Sequence, residues 1–162
     1  MRLLRHLFPP SARRMFPADS LQRIADAIHQ GEQRHTGEVM FAVEPELPVL
    51  AVMRGMQARE RAHEAFARLR TWDTEANNGV LIYLLLADHR IEIVADRGLK
   101  GRVSDEQWRG VCTLMEERLA AGEAEAAVLR GIAAVSDLLA AYFPQDGSRP
   151  DEDELPNRPH IF

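Results

Sequence analysis

The sequence holds a single cysteine, Cys112. A lone thiol cannot close an internal disulfide, so no covalent staple helps the fold, which suits a reducing compartment. Long hydrophobic runs are also missing. No window approaches the roughly 18 apolar residues of a membrane-spanning helix. The Arg-rich start, MRLLRHLFPPSARRMF, is interrupted by Arg5 and His6 before it reaches the apolar length of a secretory signal. The expected location is therefore cytoplasmic, at most peripheral at the inner membrane surface. Excess positive charge is absent too, since 25 acidic residues stand against 20 basic ones for a net charge of −5. A nucleic-acid binder needs a basic field to neutralise phosphates, so that class of partner is set aside. Finally, there is no Walker loop, no G-x-G-x-x-G behind a strand and no G-x-S-x-G.

What is present is enough apolar material, 46% of 162 residues, to build one sizeable core. Composition divides the chain into a basic leader (1–16), a domain (19–143) and an acidic, Pro-rich tail (144–162). The leader carries Arg2, Arg5, Arg13 and Arg14 and no acid. With Leu3, Leu4, Leu7 and Phe8 between them, these arginines suit a basic arm on a partner or a peripheral contact with anionic lipid. Pro9-Pro10 limits any helix there, and the expectation is a flexible segment. The tail reads as disordered.

The domain is organised around residues 72–105. Asn77-Asn78-Gly79 is a turn feeding the unbroken apolar run Val80 to Ala87, which has the length and composition of a strand buried on both faces. Asp88-His89 turns the chain into Arg90 to Asp96, where Ile91, Ile93 and Ala95 alternate with Arg90, Glu92 and Asp96 as in a half-exposed hairpin partner. Upstream, Leu21, Ile24, Ala25 and Ile28 space a helix from Asp19 to near Arg34, and Glu38 to Glu44 alternates as a strand. A second helix covers about Arg54 to Arg70, possible from Val49 onward, so the strands on either side form a βαβ unit with parallel strands. Ser104 and Gln107 read as a capping box for a third helix, and Gly122 ends it. A fourth runs from about Glu123 to Tyr142. The expected fold is α/β, a three-layer α/β/α sandwich of order α-β-α-β-β-α-α. Its small mixed sheet is expected in the order 1-2-3, with residues 80–87 central.

Cys112 to Arg118 matches the C-x5-R string of cysteine phosphatases, but a helix has already bonded the N–H groups that would have to cradle phosphate, so the match is rejected. The end of the sheet is more informative. Thr36-Gly37, Asp73 to Asn78, Asp96 to Gly101 and the start of the third helix all converge there. Asp73, Asn77, Asn78 and Asp96 are candidate oxygen ligands for Ca²⁺ or Mg²⁺, and Arg97 and Lys100 are candidates to hold an anion.

Several strings at this end carry a family resemblance. Thr36-Gly37 before the first strand, Asn77-Asn78-Gly79-Val80-Leu81 opening the second, Asp88-His89-Arg90 in the hairpin, and Arg97-Gly98-Leu99-Lys100-Gly101 followed by Ser104-Asp105 occur in the order and spacing of the TPM domain. The chain resembles this family, found in bacterial membrane-associated proteins and thylakoid lumen proteins of photosystem repair, from about Asp19 to Phe143. The resemblance implies an α/β/α sandwich, with calcium binding and acid phosphatase activity in some plant members and a binding or regulatory role in others. Two functions are therefore expected. The first is a non-catalytic protein-binding or accessory module in membrane-protein assembly or quality control, with a membrane protein among its candidate partners. The second is a weak divalent-metal-dependent acid phosphatase.

Overall fold

The computed structural model describes residues 1–147 and 154–162. At its centre is strand β2 (Gly79–Leu85), with every residue buried. Its side chains are apolar on both sides, so the strand is stable only when both faces are covered. It pairs in parallel with β1 (Glu38–Glu44) and antiparallel with β3 (Arg90–Ala95).

Alternation along these strands divides the core in two. Val39, Phe41, Val43, Val80, Ile82, Leu84, Ile91 and Ile93 face one side, packed with residues of α3 (Ala18–Glu32), α6 (Asp105–Ala120) and α7 (Ala124–Tyr142). Met40, Ala42, Leu81, Tyr83, Leu85 and Val94 face the other, under Ala58, Ala62 and Ala65 of α5 (Ala58–Arg68) and Val52 of α4 (Val49–Met53). This is the three-layer α/β/α sandwich. The capping box forms as spaced, with the Ser104 Oγ accepting from Gln107 N–H and the Gln107 side chain from Ser104 N–H.

Several expectations need correction. The helix expected over about Arg54 to Arg70, possible from Val49, is interrupted: α4 covers Val49–Met53 and α5 Ala58–Arg68. Gly55 sits in the left-handed region at φ 81°, and Met56 N–H reaches back to Ala51 O at 3.0 Å while Gly55 N–H bonds Val52 O at 3.0 Å. Those two bonds are a Schellman stop, closing the helix that the apolar spacing alone would have continued. The sheet has four strands, in the order β3-β2-β1-β4, so β1 is flanked on both sides. And Glu92, read as solvent-facing in a half-exposed strand, is buried at 3% exposure, because it lies on the Val94 face, where α5 covers the sheet.

The fourth strand comes from the tail. His160–Ile161 (β4) pairs in parallel with Ala42 and Val43, and Leu155 is buried. Disorder of the tail does not describe this part, whose apolar residues outlast its prolines. The acidic run Asp151–Asp153 lies outside the described residues. Leader residues 1–16, expected to be flexible, form α1 (Arg2–Leu7) and α2 (Ala12–Met15) and send His6, Ala12 and Phe16 into the interior.

Candidate functional site

The parallel strands β1 and β2 begin, and β3 ends, at the same end of the sheet. Backbone bonds then draw the loops together. Asp96 N–H donates to Gly79 O at 2.9 Å and Gly98 N–H to Asn77 O at 2.8 Å. Gly98 must be glycine here, since a Cβ would collide with the carbonyl oxygens of Ala76 and Asn77. Asn77 takes the left-handed conformation at φ 54°, which asparagine tolerates better than most residues. Asn78 Nδ2 donates to Thr36 O at 3.2 Å, tying the start of β2 to the approach to β1. Asp96 Oδ1 accepts from Arg97 N–H at 2.7 Å and caps the 3-10 turn Arg97–Leu99.

Each of these two side chains keeps one oxygen in reserve. Asn78 Oδ1 and Asp96 Oδ2 are buried and have no hydrogen-bond partner. Buried oxygens are normally satisfied, so such orphans point to a water or a cation. Asp73, by contrast, is exposed and takes its own partner, Arg70 Nη2, at 2.9 Å. Arg97 and Lys100 are exposed beside Asp96. Among the described residues, no three His, Cys, Asp or Glu side chains gather in a metal-ligating group.

A second feature lies along the free edge of β3. A groove of about 830 Å³ runs between α5 and α6, lined by Arg59, Glu92, Trp108, Arg109, Leu114 and the acids Asp105, Glu106 and Glu117, among others. Within it the buried Glu92 carboxylate is approached by Arg59 at 3.5 Å, Arg90 at 3.7 Å and Arg109 at 3.9 Å. The outward backbone groups of the strand are met by side chains. Glu116 Oε1 accepts from Ile91 N–H at 3.2 Å, and Arg59 Nη1 donates to Ile93 O at 2.5 Å. Cys112 also lines the groove, but burial, with Glu92 nearby, pushes its thiol up to about 11, so it is no nucleophile at neutral pH.

A model of the TPM domain matches residues 12–138. The chain belongs to the TPM domain family. Among solved structures, this TPM domain is similar to the BA42 protein of the psychrophilic bacterium Bizionia argentinensis, with 27% identity and a TM-score of 0.80 over 94% of this chain and 99% of that one. It also shares its fold with the N-terminal domain of a protein from P. gingivalis, at 16% identity and a TM-score of 0.59, over 79% of each chain. No curated protein matches the sequence.

The family strings mark where the TPM domain's loops meet, and Asn77, Asn78 and Asp96 do meet there. They give no sign of the β3 groove. Arg59 and Arg109 sit on helices far from Glu92 in sequence, and only the packing of α5 and α6 on β3 brings them to it. The one available signal was Glu92 itself, a carboxylate in a strand sharing its face with Val94. His35 was also missed. It reads as a turn residue, yet it is fully buried with both ring nitrogens unpartnered, and burial lowers its pKa to about 4.

Proposed function

We propose that this TPM domain is a non-catalytic binding module that takes an extended segment of a protein partner along the β3 edge, as an accessory in membrane-protein assembly or quality control. The observation that carries the reading is the state of that edge. Ile91 N–H and Ile93 C=O point out of the sheet and are held by side chains alone, which an incoming backbone can replace by adding a strand. Trp108 and Leu114 offer the groove apolar surface. The carboxylates Glu92, Asp105, Glu106 and Glu117 outnumber Arg59, Arg90 and Arg109 there, so the fitting segment combines apolar with basic side chains.

The test compares pull-downs from a native lysate using the wild-type chain and the Asp105→Lys/Glu106→Lys and Leu114→Arg variants. All three positions are exposed, so both variants should stay folded, the first with a somewhat lower melting temperature because Asp105 and Glu106 are the acids of the opening turn of α6. The expected result is a protein recovered by the wild type and lost by the variants. Equal recovery by all of them would refute the groove as the site.

A second reading has its own observation, the orphaned oxygens of Asn78 and Asp96. In it a hard cation such as Ca²⁺ or Mg²⁺ takes those oxygens, with Asn77 and Asp73 as further candidate ligands, while Arg97 and Lys100 offset the charge of a phosphate. The metal would polarise the phosphoryl oxygen and activate water, which is the chemistry of a weak acid phosphatase.

A further inference from the structure

Helices α1 and α4 pack against each other on the protein surface. Together with Met1 and Phe8 they expose Leu3, Leu4, Leu7, Val49, Leu50 and Met53, with Phe8 at 81%, Met53 at 69% and Leu50 at 66%. Outside this area the described residues expose only three large hydrophobics, Trp72, Leu114 and Tyr142, and these lie on separate elements. Such concentration is not the scatter of single apolar residues expected on a water-facing surface. Nor is it a frayed end. Arg2 is bonded to Asp88 and, through Nη2 at 2.6 Å, to Met56 O, while the buried His6 fixes α1 from beneath.

Charge says what covers the patch. Arg5 on α1, Arg13 and Arg14 on α2, and Arg54 at the end of α4 are exposed, and among the described residues none of them enters an ion pair. Residues 1–18 contain no acid, and residues 45–57, which include α4, contain one, Glu46, in a chain whose net charge is −5. A two-fold contact between copies would set these arginines against their own kind, which opposes self-association. An anionic bilayer instead accepts both features at once, apolar side chains below the headgroups and guanidinium groups at the phosphates.

We propose that the α1–α4 surface docks this protein on anionic phospholipid membranes, with Leu4, Phe8, Leu50 and Met53 inserted and Arg5 and Arg54 at headgroup level. The domain would then lie on the bilayer with α1 and α4 in its interface. No helix among the described residues is long and apolar enough to cross a membrane, so the contact is interfacial.

Flotation of the full chain with vesicles tests this. One set is pure phosphatidylcholine, and the other contains phosphatidylglycerol at roughly one lipid in four, at low and physiological salt. The expected result is flotation with the anionic vesicles only, weakened by salt. Arg5→Ala and Arg54→Ala should each cost about fivefold in partitioning, the effect of one basic residue at an anionic surface. Phe8→Glu/Leu50→Glu, at two exposed positions, should abolish flotation without changing the melting temperature. Absence of flotation on anionic vesicles at low salt would overturn the proposal. So would flotation indifferent to Phe8→Glu/Leu50→Glu, or sedimentation showing a dimer that those substitutions dissociate, since a second copy would then be what covers the patch.

Discussion

Arg2 and Asp88, 86 residues apart, are joined by a forked ion pair, with Arg2 Nη2 at 2.8 Å and Nε at 3.1 Å from the same carboxylate oxygen. His6 completes the arrangement from the next turn of α1. Its Nε2 lies 3.0 Å from Asp88 Oδ1, and its Nδ1 accepts from Leu47 N–H at 2.9 Å, which places the ring proton on Nε2. Burial alone would raise the Asp88 carboxyl, but the bonds from Arg2 and His6 outweigh it and hold the group below its usual 3.8.

Asp88→Asn should therefore loosen α1 while leaving the sheet intact. The expected cost is about 1 to 3 kcal/mol, because asparagine removes the charge and puts an NH2 donor where one accepting oxygen stood. Hydrogen exchange should show faster amides at residues 2–8, with β2 and β3 unchanged; equal protection in both proteins would mean that apolar packing alone holds the helix. In the wild type the carboxylate's contribution is present above its unfolded pKa and is lost as pH falls through the lower folded value.

His35 gives a second pH effect in a different window. Burial lowers its pKa from the ordinary 6.5 to about 4. Between these values the unfolded chain holds the proton and the folded one does not, so stability falls as pH drops from 6.5 to 4 and levels off below. A shift of this size corresponds to on the order of 3 kcal/mol. Urea denaturation at several pH values should show the slope, and His35→Leu should flatten it. A wild-type profile flat across that window would refute the assignment.

These two histidines mark where reading the sequence stops. The strands were legible because period-2 alternation and an eight-residue apolar run, Val80 to Ala87, are local signals, and β1 and β3 follow them within a residue. The Ser104–Gln107 cap was legible for the same reason. His6 reads only as a break in the apolar start and His35 as a turn residue, because nothing near them in sequence reveals that Leu47, Asp88 or Pro144 will lie against them. β4 was hidden differently. His160 and Ile161 follow a stretch whose prolines and acids dominate the composition, and a two-residue strand has too short a period to detect. At the sheet end the loops were foreseen to converge, whereas the separate pairing of Asp73 with Arg70 depends on Arg70 adopting φ 56° to close α5.

That pairing limits what the sheet end can offer a metal ion. With Asn78 Oδ1 and Asp96 Oδ2 as the buried oxygens free to accept a cation, and Asp73 held by Arg70, a calcium ion would gain one carboxylate and one amide oxygen, to be completed by backbone carbonyls and water. So few charged ligands correspond to dissociation constants on the order of 0.1 to 1 mM. A calcium titration followed by backbone amide shifts should move residues 77–79 and 96–101, and Asp96→Asn should remove the response. Shifts confined to the acidic tail near Glu154 would instead mean non-specific collection of the ion, and the sheet-end site would be withdrawn. Asp96→Asn, together with Asp73→Asn, decides the phosphatase reading. If it holds, turnover of a generic phosphomonoester survives purification and vanishes in both Asp73→Asn and Asp96→Asn. Activity that both substitutions leave untouched belongs to a contaminant, and loss in Asp96→Asn alone would place the metal on Asp96 without help from Asp73.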